Sequence, residues 1–117
     1  MIQQFTERRQ HIRVPLTYVT VEVYSSVKKL EEQETCSIVD ISVNGMKFIS
    51  QKNFQISQPL RVTFVLPGST IPIRANAAVV YQQPRESLLH TGIQFTNLGL
   101  VEFALLKKYI ETFNKKN

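Results

Sequence analysis

Three arginines, Arg8, Arg9 and Arg13, fall within six residues near the start of the chain. A guanidinium offers a planar fork of N–H donors that fits a phosphate or the O6/N7 edge of guanine. The tract reads either as a solvated basic arm or as a grip for an anion. A second cluster, Asp40-Ile41-Ser42-Val43-Asn44-Gly45, joins a carboxylate and a hydroxyl to an Asn-Gly pair suited to left-handed φ. Taken singly, its polar residues read as turn chemistry, with side chains bonding the local backbone. Little else in the chain is suited to catalysis. His11 and His90 are the only histidines, and no GxSxG, HExxH or glycine-rich phosphate loop occurs. Asp40 has no paired carboxylate nearby in sequence. Cys36, the single cysteine, lies in an apolar strand pattern and reads as a buried thiol, not a nucleophile. One cysteine makes neither an internal disulfide nor a zinc site by itself. The chain is expected to bind and not to catalyse, with no metal and no cofactor.

The charge distribution agrees. Net charge is +5, of which residues 1–13 carry +2 and residues 107–117 carry +3, so the middle is neutral. Clustered positive charge suggests an anionic partner: nucleic acid, nucleotide phosphate or a membrane surface. Lys107, Lys108, Lys115 and Lys116 have a simpler reading, since lysines late in a helix complement its dipole. With 117 residues, 43% of them hydrophobic and 20% charged, one folded domain is expected. The polar amino terminus lacks the apolar core of a secretory signal, and no run is long enough to span a membrane. A cytoplasmic location is expected.

These residues must be positioned by strands. Residues 14–24 alternate at Val19, Val21 and Val23, and residues 35–42 form a second strand, with Cys36 and Ile38 on one face and Val39 and Ile41 on the other. The polar stretch 25–34 between them reads as a loop or one helical turn. Met46 and Phe48 begin a third strand after the Asn-Gly turn. Residues 60–66 form a fourth, and Ile71, Ile73, Ala75, Ala77, Val79 and Tyr81 alternate along a fifth. Residues 82–87 read as a loop, and Leu89, Thr91, Ile93 and Phe95 mark a sixth strand. After Asn97 the period becomes helical, with Val101, Leu105, Tyr109 and Phe113 flanked by Leu98, Leu106 and Ile110. Six short strands and a terminal helix predict an antiparallel barrel or sandwich capped by the helix.

Arg9 and Arg13 match an RxxxR signature, and Asp40, Ser42 and Gly45 match [D/N]xSxxG. In this order, on this strand pattern, the chain resembles the PilZ domain family. Residues 92–95, Gly-Ile-Gln-Phe, are similar to that family's late Gly-x-x-Phe strand. The resemblance covers residues 5–113. It implies a mainly β fold: a six-stranded antiparallel PilZ-type barrel over residues 14–113, with a carboxyl-terminal helix, a flexible Arg-rich arm at 1–13 and a tail at 114–117. It also implies a bacterial receptor for the second messenger cyclic di-GMP. Arg9 and Arg13 would hold phosphate oxygens or guanine O6 and N7. Asp40 would accept from guanine N–H groups or orient an arginine, Ser42 would donate a hydrogen bond, and Gly45 would let the backbone approach the base. Arg8, directly before RxxxR, is similar to the extra arginine of members that bind a stacked dimer of the ligand. The family often has an aromatic, commonly Trp, late in the fifth strand; this chain has Tyr81, which either stacks on guanine or packs as an ordinary strand residue.

The implied mechanism is an arm that orders on ligand binding and exposes a surface for a downstream protein partner, with motility, exopolysaccharide synthesis or pilus assembly as outputs by analogy. Two alternatives remain open. One is a PilZ-like protein-interaction adaptor that does not depend on the nucleotide. The other is a nucleic-acid-binding barrel, disfavoured because the middle of the chain is neutral and lacks interleaved Arg and aromatics, so no nucleic acid polymer is expected as partner. Oligomeric state is left open.

Overall fold

The computed structural model describes residues 12–27 and 30–116. Among these residues seven strands and one helix follow in order: β1 Val14–Pro15, β2 Thr20–Val27, β3 Leu30–Ser42, β4 Gly45–Ser50, β5 Pro59–Phe64, β6 Ile73–Arg85, β7 Leu88–Leu98 and α1 Leu100–Lys116. All pairings are antiparallel, in the order β3-β2-β5-β6-β7-β4. Because β4 also pairs with β3, the six long strands close on themselves. The fold is mainly β, a closed six-stranded antiparallel barrel with one carboxyl-terminal helix, as the family resemblance implies; the strand pattern alone allowed a barrel or a sandwich. Closure leaves none of those six strands with a free edge.

The interior is filled by alternate residues of every strand. Val21, Val23, Ile41, Met46, Phe48, Val62, Ile73 and Val79 are all buried. α1 seals this core with Leu106 and Ile110 and contacts β1. Burying each such aliphatic side chain contributes roughly 1.5–3 kcal/mol. Leu105, Tyr109 and Phe113 pack partly buried beside them, but Val101, expected on the same face, is exposed.

Four departures from the sequence expectation have physical causes. First, the expected strand at 14–24 is broken. β1 pairs with β3 at Val14↔Ile41 and Pro15↔Asp40, the chain then bends at Tyr18 with φ 63°, and β2 starts at Thr20. Second, most of the polar stretch 25–34 is strand, not loop. Ser25↔Glu32, Ser26↔Glu31 and Val27↔Leu30 extend a hairpin. Its ladder is supported by ion pairs of Glu31 with Arg61 and of Glu32 with Lys52, so it needs no apolar alternation. Third, 82–87 is largely strand as well. β6 runs to Arg85, and the turn is made by Glu86 and Ser87 at φ 51° and 67°, a left-handed pair without glycine.

Fourth, β-bulges interrupt three strands where simple alternation was expected, one of them in β7, where Asn76 faces Asn97 but Ala77 faces Phe95, so Thr96 is the extra residue. In β3, Ile38 faces Phe48 but Asp40 faces Lys47, so Val39 is the extra residue. In β6, Val79 faces Ile93 but Tyr81 faces Gly92, so Val80 is the extra residue. Period-2 alternation from buried Ile38 would have turned Asp40 into the core, and the same from buried Val79 would have turned Tyr81 inward. The bulges in β3 and β6 each re-aim one side chain, Asp40 and Tyr81, to the outer wall.

Candidate functional site

The bulges in β3 and β6 create one transverse row. Asp40 faces Lys47 across β3 and β4, Lys47 faces Gly92 across β4 and β7, and Gly92 faces Tyr81 across β7 and β6. Residues directly opposite in antiparallel strands share a face, so the row lies on the outer wall. Arg13 joins it at the β3 end. The two-residue strand β1 holds the backbone next to β3, reinforced by Leu16 N–H donating to the Val39 carbonyl at 3.0 Å. Arg13 then donates from Nε to Asp40 Oδ1 at 2.8 Å, and its Nη2 lies 2.6 Å from the same oxygen. The Arg13 side chain is 45% exposed and that of Asp40 19%, so this pair is partly screened. Its effect is to point the guanidinium along the wall.

Gly45 does not adopt the left-handed φ expected at Asn44-Gly45; neither residue is in that region. Glycine is required there for another reason. A Cβ at Gly45 would collide with the Ile93 carbonyl oxygen of the adjacent strand. The turn itself is shaped by Ser42. Its buried hydroxyl donates to Asn44 Oδ1 at 2.6 Å and accepts from the Asn44 N–H at 3.3 Å. Ser42 therefore sits behind the surface and braces the turn that carries Asn44 and Gly45.

Tyr81 is 37% exposed. Its ring lies directly over Gly92, where any side chain would occupy the same space as the ring. Gly92 is thus the seat of the ring. Sequence reading placed Gly92 in a strand motif without this role. The signal was present only as register: glycine opposite an aromatic, which pairing reveals and spacing does not.

Arg13, Asp40, Gly45 and Tyr81 line one concavity of about 690 Å³, together with Lys47 and Gly92. Concavities of about 670 and 780 Å³ lie elsewhere, so size does not single it out. What distinguishes it is that both sequence signatures reach it: Arg13 of the first and Asp40 and Gly45 of the second line it beside Lys47 and Tyr81. Ser42 is adjacent but does not line it. Arg8 and Arg9 lie outside the described residues. Among the described residues no group of three or more His, Cys, Asp or Glu is placed to hold a metal. Cys36 is buried inside the barrel, and burial together with the nearby Glu34 carboxylate pushes its thiol up to about 12. No helix among the described residues is long and apolar enough to cross a membrane.

The chain is thus a closed antiparallel barrel with a helix over its core, with RxxxR in sequence before the first strand and DxSxxG at the end of β3. The chain belongs to the PilZ domain family, which it matches over residues 7–112. Solved structures share its fold. The inhibitor of motility MotI/DgrA of Bacillus subtilis superposes with a TM-score of 0.75 at 19% identity, covering 94% of this chain and 52% of that one. MrkH of K. pneumonia, solved as a complex with c-di-GMP, gives 0.75 at 18% identity, covering 93% and 53%. The PilZ domain of YcgR from Escherichia coli, solved with c-di-GMP, gives 0.69 at 13% identity, covering 93% of each chain. This chain thus spans about half the length of the first two and nearly all of the isolated YcgR domain. No curated protein matches the sequence.

Proposed function

We propose that this chain is a cyclic di-GMP receptor that binds its ligand in the concavity lined by Arg13, Asp40, Gly45 and Tyr81. The observation that carries the reading is convergence: residues from both signatures meet an aromatic ring in one concavity, although they come from four separate segments. Two structural neighbours, MrkH and the YcgR domain, were solved with this ligand, which supports the same chemistry here. Arg13 spends two of its five N–H donors on Asp40, leaving others for phosphate or guanine oxygens. Asp40 has a second oxygen for guanine N–H groups. Tyr81 offers a ring for stacking, worth roughly 1–3 kcal/mol per base.

Arg8 and Arg9 would add the charge needed to hold a second phosphate, and Arg8 would favour a stacked ligand dimer. Neutralising three arginines would fold the arm of residues 1–13 across the barrel. The ordered arm would form a new surface for a downstream protein. In this reading the chain is a bacterial, cytoplasmic, non-catalytic signalling protein.

Isothermal titration with cyclic di-GMP, beside GTP and cyclic di-AMP, tests it. The expected result is selective binding at micromolar affinity or tighter, with a stoichiometry of one or two ligands per chain. Arg13→Ala should weaken it about 10–150-fold, the loss of one charge-assisted contact. No binding by the unaltered chain would overturn the reading and leave the nucleotide-independent adaptor.

A further inference from the structure

The row on the outer wall contains a cation that neither signature includes. Lys47 stands between Asp40 and Gly92 and lines the same concavity. Its neighbour Asp40 does not neutralise it, because the Asp40 Oδ1 oxygen is taken by Arg13 and no ion pair joins Asp40 to Lys47. Lys52 and Arg61, on other strand and loop positions, are paired with Glu32 and Glu31. Among the described residues Lys47 has no ion pair and no hydrogen bond from its ammonium group. With Arg13 set against Asp40, Lys47 supplies the excess positive charge of the described part of the site.

Its position is as informative as its charge. Gly92 contributes no side chain, so the wall between Lys47 and Tyr81 is filled only by the Tyr81 ring leaning over that glycine. Lys47 and Tyr81 stand two strand spacings apart, about 10 Å. A base stacked on the ring would carry its sugar and phosphate beyond the ring edge, within reach of the four-carbon lysine stem. An ammonium is a compact charge with rotating donors, not a planar fork, and suits a phosphate oxygen better than a bidentate base edge. We infer that Lys47 is a ligand-contacting residue, bonded to a phosphate oxygen of the cyclic dinucleotide. This rests on the reading of the concavity as the cyclic di-GMP site.

The test is titration of the full chain with cyclic di-GMP at low and high salt, using the unaltered protein, Lys47→Met, Lys47→Arg and Arg13→Ala. Lys47→Met should weaken binding about 5–50-fold and flatten the salt dependence, since one screened charge contact is gone. Lys47→Arg should keep most of the affinity. The thermal midpoint of Lys47→Met should stay unchanged, because the side chain is half-buried without a partner. Binding by Lys47→Met equal to that of the unaltered chain, with the same salt slope, would overturn this inference while leaving the receptor reading intact. Equal losses in Met and Arg variants, with a lowered midpoint, would show a structural role and overturn it too. No binding by the unaltered chain would remove both the reading and the inference.

Discussion

At Gly45 the need for glycine is steric, not conformational. The strand β7 passes so close that a methyl group has nowhere to go except into the Ile93 carbonyl. Backbone cannot yield as a flexible side chain can. Gly45→Ala should therefore cost about 1–3 kcal/mol of stability, a drop of roughly 5–20 °C in thermal midpoint for a chain of this size, measured by circular dichroism. A Gly45→Ala variant melting with the unaltered protein would show that β4 and β7 separate more easily than their register implies. Cys36 offers a second residue-level prediction. Its thiol is 2% exposed, and its pKa is raised from 9.0 to about 12 by burial and then by the Glu34 charge. A thiol that keeps its proton to higher pH in the folded state favours folding fully below about pH 9, and that advantage drains away as pH rises towards 12. At pH 8 the native protein should react negligibly with a thiol reagent and fully in urea. Removing the thiol with Cys36→Ala should reduce the loss of stability between pH 9 and 12. Rapid labelling of the native chain would contradict its burial.

Strands explain why these residues meet. A buried polar cluster ties β4, β6, β7 and the segment after β4 together. Gln82 Nε2 donates to Thr91 Oγ1 at 2.9 Å and to the Lys52 carbonyl at 2.9 Å, while its Oε1 accepts from the Phe54 N–H at 3.1 Å. Ser50 and Thr91, both buried, share a hydroxyl contact of 2.9 Å. Gln82 follows Tyr81 in sequence and points the opposite way, so this cluster anchors the strand that presents the ring. Gln82→Leu would leave the Phe54 N–H and the Lys52 carbonyl without this partner. The expected cost is about 1–3 kcal/mol, with faster amide exchange at Phe54. Unchanged exchange at Phe54 would show that its loop is held by other contacts. The core strands were legible from alternation, as at Val21, Val23, Leu60, Val62 and Phe64. The polar hairpin arms around Ser26↔Glu31 and Gln83↔His90 were not, because exposed strands are held by ladder bonds and cross-strand ion pairs, which leave no apolar period.

For the molecule as a whole, closure turns separate motifs into a surface. β3 pairs with β1 and β2 along one side and β4 along the other, so Arg13, just before β1, lies beside the end of β3. Ligand binding in that place is expected to slow amide exchange across residues 1–13, measured by mass spectrometry with and without cyclic di-GMP. Binding without any change in that exchange would separate the receptor role from the ordering of the arm. The sequence by itself determined the β class, the terminal helix and the identity of the motif residues Arg13, Asp40, Ser42 and Gly45, because alternation, helical period and local spacing are properties of neighbouring residues. Tertiary structure decided which of them share a surface. The bulges at Val39 and Val80 turned Asp40 and Tyr81 outward, strand pairing set Gly92 beneath the Tyr81 ring and Lys47 beside it, and local hydrogen bonds put Ser42 behind the wall. A register shift of one residue reverses every side chain beyond it, and register is settled between strands far apart in sequence.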